Sequence, residues 1–363
     1  MTRKPSVPVT KLADILDPEA LERQIADRLI TRRRLAGSDI VVLNYTAKAT
    51  YKNLWTTETR RCRGLVVGGD ETVLARPFEK FFDLSVTSTA MDAPFVVTEK
   101  LDGSLGVLYP GPDGPTITTR GDPNGWQSAA ATDLWRGRYD DFEPPEGVTL
   151  LFEIILPENR VVIDYGEHRE LVALAAIDIA SGRDVDLPGN WDGPVAGRLD
   201  ASDATLAELV ARAERDGNRE GFVLFWPAEG IRAKVKLAEY RRVHRMVFAT
   251  STRSIWESLA TGGDPVADVG DGLPELRRFV ETHAAALRAR HGRAVSEARS
   301  VVASLSAAQR SDRRLAAEAI AANRRPALAF LALDGRDADL RKAAWRAVRP
   351  KRAETFRVEG QGE

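Results

Sequence analysis

The stretch PFVVTEKLDGSLGVLY, at Pro94–Tyr109, decides how the chain is read. Two apolar runs flank a polar pentapeptide, Lys100-Leu101-Asp102-Gly103-Ser104. Asp-Gly between strand-like runs is a hairpin-turn pattern, so taken alone the segment is two strands and a turn preceded by an exposed lysine. Its chemical weight comes from five further polar clusters. RRCRGLVV (Arg60–Val67) and ARPFEKFFDL (Ala75–Leu84) precede it; LLFEIILPENRVVIDY (Leu150–Tyr165), EGFVLFW (Glu220–Trp226) and AKVKL (Ala233–Leu237) follow.

Further outward the pattern stays strand-like. Short β-branched runs at Ile40–Leu43, Gly64–Gly69, Thr116–Asp122, Val148–Tyr165, Glu170–Ile179, Gly221–Trp226 and Ile231–Leu237 are separated by Gly, Pro, Asn and Asp. No regular strand–helix alternation appears, so an α+β, largely antiparallel domain is expected. One early helix is predicted across Pro18 to Leu35, from Leu21, Ile25, Leu29 and Ile30 at helical spacing. TGGDPVADVGDG at Thr261–Gly272 is the expected linker. Beyond it, Ala, Arg and Leu at helical spacing predict an all-helical segment with breaks near Gly292, Pro326 and Gly335. The expected division is 1–245 and 246–363.

With 363 residues and 43% hydrophobic content, the chain can bury a core in two modest domains or one large one. No run approaches the ~20 apolar residues of a membrane span. MTRKPSVPVTKLADILDPEA has no apolar core of a secretory signal, which points to the cytoplasm. One cysteine, Cys62, excludes an internal disulfide framework and reads as a small buried hydrophobe. The four histidines show no metal-ligand spacing, and Asp264, Asp268 and Asp271 read as solvated linker carboxylates. Charge is uneven. From Arg277 to Arg352 there are 18 Lys plus Arg against 7 Asp plus Glu, a balance of +11 within a chain of net charge -1, which leaves -12 for the remainder. A basic segment of this kind suits either a solvated helical surface or a nucleic-acid contact.

Several side chains call for more than a bland explanation. Lys234 and Lys236 lie two apart on a predicted strand and so face the same side. Glu153 sits in LLFEIIL, where at least one face would be buried, and a buried carboxylate needs a partner. Glu220 opens an apolar strand and is followed by a glycine.

The six clusters together resemble the covalent nucleotidyltransferases, the superfamily of polynucleotide ligases and messenger-RNA capping enzymes. KLDGS resembles motif I, LLFEIILPENRVVIDY motif III, EGFVLFW motif IV and AKVKL motif V. The two upstream segments resemble those of the RNA ligase 1 family, the phage tRNA-repair type. The resemblance runs from about Tyr45 to Leu237.

It implies an adenylation domain with Lys100 as the nucleophile that takes AMP from ATP. Lys234 and Lys236 would contact the triphosphate and, with partial burial, favour a neutral Lys100 amine. Arg63 and Lys80 would contact nucleotide and phosphates. Tyr45 and Phe82 would meet the adenine or ribose, unless they are plain core. Arg120 stands where the family carries a lysine before glycine, a change of cation geometry. Glu153 would hold the ribose or a metal, and Glu220 the metal and phosphate environment, with Mg2+ (or Mn2+) neutralising phosphates. The helical segment after Leu237 departs from the OB domain of DNA ligases and capping enzymes, and fits an RNA-binding appendage. The implied partner is RNA with 3′-OH and 5′-phosphate ends, such as a nicked tRNA. A DNA-end ligase, another adenylyltransferase and a non-catalytic RNA-binding protein on the same fold are the open alternatives.

Overall fold

The computed structural model describes residues 8–86, 93–199, 206–216, 218–269 and 273–356. The protein is α+β, with largely antiparallel sheets followed by a helical C-terminal region. Its backbone divides into two compact units, one ending at Arg241 and the other beginning at Arg242. That division falls inside the helix Ala238–Ala249, not at the turn-rich stretch 261–272. Part of that stretch is itself helical, at Pro265–Val269, and 270–272 lie outside the described residues.

Among the described residues three sheets build the first unit. The N-terminal sheet has four strands in the order Ile30–Arg34, Val41–Tyr45, Arg63–Val67 and Val73–Ala75. A middle sheet orders Asp184–Val185, Glu170–Asp178, Val148–Ile155, Ser104–Gly111 and Gly114–Thr119. The third orders Arg198–Leu199, Val96–Lys100, Gly221–Trp226, Ile231–Lys236 and Phe82–Asp83. Only the last pairing, Phe82–Asp83 with Ile231–Lys236, is parallel among the described strands.

Strand alternation explains how the middle sheet is covered on both faces. Leu150, Phe152 and Ile154 point into a core with the helix Trp126–Arg138, whereas Leu151 points into a second core shared with Val42 and Val66 of the N-terminal sheet. Glu153 has the parity of Leu151, so it emerges on the side of the N-terminal sheet, at the end of its strand. A lone polar residue in an apolar run is here a residue at the edge of a buried layer.

Two sequence expectations fail for identifiable reasons. The helix begun at Pro18 ends at Ala26, and Ile30–Arg34 is a strand instead of its continuation. Arg28 adopts a left-handed conformation (φ 58°), with its N–H and that of Leu29 donating back to Ile25 and Gln24, which stops the helix. The following residues then pair in register with Val41–Tyr45 and bury Ile30. The C-terminal helix Pro274–Ala303 runs unbroken through Gly292. A mid-helix glycine costs only about 1 kcal/mol, and this helix buries Leu276, Val280, Ala284, Leu287 and Val295 along one stripe. Pro326 and Gly335 do punctuate: one opens the helix Pro326–Leu333, and the other, at φ 67°, separates it from Asp337–Ala347. Among the described residues no helix is long and apolar enough to cross a membrane.

The core of the middle sheet is aromatic. Trp135 is 1% exposed and meets Tyr139, Phe142, Phe152 and Trp191 with ring centroids 5.6–6.0 Å away. Trp135→Ala is expected to cost about 3–5 kcal/mol in urea unfolding, the usual toll of a large buried truncation. A loss under about 1 kcal/mol would mean that the layer collapses to fill the space.

Candidate active site

The third sheet places the chemistry by register. Gly221 pairs with Lys100 on one side and with Lys236 on the other. Two residues along, Val223 lies between Thr98 and Lys234. Residues directly opposite share a face, so Lys100, Lys236 and Lys234 all rise from one side of the sheet. The glycine between the first two is obligatory. Its φ is 151°, and a Cβ there would lie 1.9 Å from the Val235 carbonyl oxygen.

Because Gly221 has no side chain, the carboxylate of Glu220 can serve both neighbours. Lys100 Nζ is 2.8 Å from Glu220 Oε2, and Lys236 Nζ is 2.7 Å from Oε1. Glu220 is 3% exposed, a burial that is tolerable because each oxygen meets a cation. The sequence reading set cations around Lys100; the structure puts a carboxylate directly against it and shares that carboxylate with Lys236.

The pentapeptide crosses from the third sheet to the middle one. Gly103 N–H donates to Glu153 Oε1 at 2.9 Å. Asp102, 4% exposed, accepts from the N–H groups of Val162 (2.8 Å) and Ile163 (2.9 Å) and from the Tyr240 hydroxyl (2.7 Å). Its own N–H donates to the Tyr165 hydroxyl at 2.9 Å. Ser104 Oγ donates to Asn159 Oδ1, which also accepts from Gln127.

A cleft of about 1380 Å³ opens above these residues. It is lined by Tyr45, Arg63, Lys80, Lys100, Arg120, Glu153, Lys234 and Lys236, eight of the ten side chains singled out from the sequence. Glu220 lies beneath Lys100 and Lys236 rather than in the wall. Phe82 also stands outside the lining, packed edge-on against Trp55 and 5.0 Å from Lys80 Nζ.

Arg63 opens a strand of the N-terminal sheet, and Arg120 directly follows the strand Gly114–Thr119 of the middle sheet. Gly64, at φ 88°, lets them approach, since a Cβ there would stand 3.1 Å from the Arg120 Cα. Arg120 donates to the Tyr45 hydroxyl and lies over its ring, 4.6 Å from the centroid. Arg63 lies over Phe78 and Phe81, at 4.8 and 5.2 Å. Its Nε and Nη1 are buried without a hydrogen-bond partner among the described residues.

Crowding these cations away from water shifts their protonation. Burial, reinforced by Lys234, Arg63 and Arg120, pushes the Lys80 ammonium down to about 7. Burial lowers Lys234 as well, opposed by Asp83. Arg63 is pushed down to about 10, again by burial first. Glu153 moves the other way, up to about 7, because burial outweighs the pull of Lys100 and Glu220 adds repulsion. Such a wall gains when an anion enters and returns opposite charge to the cations.

Sequence reasoning gave no role to Asp102, Tyr240, Tyr165 or Trp55. Asp102 lay inside the quoted motif but looked like a turn residue. Tyr240, four residues after Lys236 on the next helix, offers no signal in a single chain. Among the described residues no three His, Cys, Asp or Glu side chains stand together as a metal cage.

No family model and no curated protein matches this chain. Among solved structures, it is similar to a presumptive ATP-dependent DNA ligase from Aquifex aeolicus at 16% identity, over 75% of this chain and 74% of that one, with a TM-score of 0.43. It is similar to an archaeal ATP-dependent RNA ligase at 16% identity, over 74% and 70%, with a TM-score of 0.44. A Naegleria gruberi RNA ligase matches at 19% over 42% and 51%, with a TM-score of 0.31. At these values the functional reading has to come from the site itself.

Glu153 yields a pH test with a definite sign. Its folded value, about 7, lies above the ordinary 4.5, so between the two the native state binds more protons than the unfolded chain. Its contribution is therefore complete below 4.5 and is lost as pH rises through about 7. From pH 5 to pH 8, the wild-type unfolding free energy is expected to fall by roughly 1–3 kcal/mol more than that of Glu153→Gln. Parallel urea-unfolding curves for the two proteins would refute this.

Proposed function

We propose that the chain is an ATP-dependent RNA ligase working through a covalent adenylate on Lys100. The observation that supports it most is one rung of sheet, Lys100–Gly221–Lys236, facing a cleft whose wall also carries Arg63, Lys80, Arg120 and Lys234. Six cations converging on one cleft suit a polyphosphate. The cleft is ample for a nucleotide, since ligand sites run to roughly 300–1,000 Å³.

In the proposed reaction Lys100 Nζ attacks the α-phosphorus of ATP. The ammonium first gives up one proton to become an amine. As the P–N bond forms, the bond from the α-phosphorus to the bridging oxygen breaks, pyrophosphate leaves, and the nitrogen loses a second proton to solvent. An oxygen of an RNA 5′-phosphate then takes the AMP and releases the lysine. Finally a 3′-hydroxyl oxygen attacks that 5′-phosphorus, closing a phosphodiester and expelling AMP. Glu220 holds Lys100 and Lys236 apart by a fixed distance, one as nucleophile and the other facing the leaving phosphates. Chemistry of this type depends mainly on positioning and on cationic stabilisation.

Mg2+ fits as a visitor carried on the triphosphate, because the described residues form no cage of their own and Mg2+ commonly retains waters and phosphate ligands. Glu153, in the cleft wall, is the carboxylate that would face it, while both oxygens of Glu220 are engaged by Lys100 and Lys236. When bound it would neutralise phosphate charge and orient the pyrophosphate. RNA as the substrate, and repair of a nicked tRNA in particular, rest on the family resemblance and on the basic C-terminal segment, with residues 1–245 as the adenylating part and 246–363 as the RNA-binding part.

The test is a denaturing gel after incubation with Mg2+ and α-labelled ATP. A labelled band is expected that vanishes on adding pyrophosphate, is absent in Lys100→Ala, and is discharged by 5′-phosphorylated RNA. An undiminished adduct in the alanine variant would overturn the assignment. Discharge by DNA ends in preference to RNA would redirect it to a DNA ligase.

A further inference from the structure

We infer that Tyr240 is a positioning residue that closes a ring of contacts around Glu220 and so sets Lys100 against Lys236 for adenylation. This inference rests on the ligase reading above. The ring can be followed atom by atom. Lys100 Nζ meets Glu220 Oε2 at 2.8 Å, and Glu220 Oε1 meets Lys236 Nζ at 2.7 Å. Lys236 Nζ stands 4.8 Å from the centroid of the Tyr240 ring. The Tyr240 hydroxyl donates to Asp102 Oδ1 at 2.7 Å, and two peptide units lead from Asp102 back to Lys100.

Neither Tyr240 nor Asp102 lines the cleft, and both are 4% exposed. Tyr240 meets the reacting region at Lys236, and Asp102 is tied to Lys100 through the backbone between them. The Asp102 carboxylate is nonetheless fully engaged, since Oδ2 accepts from Val162 and Ile163 N–H and Oδ1 takes the tyrosine. Three donors on one buried carboxylate anchor the turn to Val162 and Ile163 and to Tyr240 at once. Lys100 sits at the end of its strand, where the neighbouring strand cannot restrain it beyond the Gly221 pairing. The Asp102–Tyr240 bond supplies that restraint from the far side. The tyrosine ring meanwhile presents its face to Lys236, a weak attraction that fixes the direction of a flexible ammonium.

A purely structural role would make the same bond contribute stability and nothing else, so the test separates rate from fold. The full-length chain and its Tyr240→Phe and Asp102→Asn variants would be followed through a single turnover of lysine adenylation with α-labelled ATP and Mg2+, normalised to folded protein. Tyr240→Phe keeps the ring over Lys236 and deletes only the hydroxyl. Its rate at saturating ATP is expected to fall by about tenfold, with the half-saturating ATP concentration within about twofold of wild type. Asp102→Asn reaches the same bond from the other end and is expected to slow the step at least as much. Tyr51→Phe, at a site 91% exposed, is the unaffected control. If the Phe and Asn variants melt lower but adenylate at the wild-type rate, the residue is structural and the inference fails while the ligase reading stands. If wild-type protein forms no adduct at Lys100, the ligase reading fails and takes the inference with it.

Discussion

A single carboxylate, Glu220, holds the site in register. Buried at 3% exposure, it would be unaffordable as a lone charge, and its two oxygens are matched one-to-one with Lys100 and Lys236. That pairing requires both lysines on one face and nothing between them. The first condition is met by a three-strand register, the second by a glycine whose conformation and clearance exclude any side chain. Removing Glu220 alone would leave two facing ammonium groups to repel each other over Gly221. Removing either lysine would leave a buried carboxylate half-satisfied. The three residues thus form one electrostatic unit, and the geometry of the third sheet exists around it.

The rest of the cleft carries the opposite imbalance. Arg63, Lys80 and Lys234 are partly desolvated and crowd one another, which is why Lys80 is pushed down to about 7 and Arg63 to about 10. Aromatic rings soften the cost: Phe78 and Phe81 beneath Arg63, Tyr45 beneath Arg120, Trp55 and Phe82 around Lys80. Ring faces attract cations without neutralising them. A wall built this way retains an appetite for anions that carboxylate partners would have consumed.

The sequence made the strands around Lys100 legible because period-two alternation and turn residues are local signals. Lys234 and Lys236 were legible as a pair for the same reason, parity on a strand, and Glu153 because a carboxylate in LLFEIIL contradicts its surroundings. What stayed hidden depended on partners far along the chain. Ile30 continues the helical spacing of Leu21, Ile25 and Leu29, yet it opens a strand because Arg28 turns left-handed and Val41–Tyr45, though near in sequence, offers a ladder. Gly292 looked like a break because the stripe packed beneath it is not a local property. Phe82, expected near the nucleotide, packs edge-on against Trp55 and lies 5.0 Å from Lys80 Nζ, a neighbourhood that no local pattern announces. Tyr240 is 138 residues from the aspartate that it binds, and no pattern in one chain joins them.

The helical region raises the question of what its charge is for. Many of its arginines are engaged locally: Arg277 with Glu281, Arg299 with Asp337, Arg313 with Asp334, Arg325 with Glu297 and Arg336 with Asp339. These are exposed pairs, each contributing about 0–1 kcal/mol, so they arrange charge more than they stabilise the fold. Local pairing also has a ceiling. The segment from Arg277 to Arg352 has 7 acidic residues for 18 basic ones, so it cannot neutralise itself. An excess of this size on helices raises self-repulsion in the isolated molecule, and a polyanion that releases its counterions would relieve it. The cleft and the helical unit are therefore alike in one respect: each holds more positive charge than its own residues can answer.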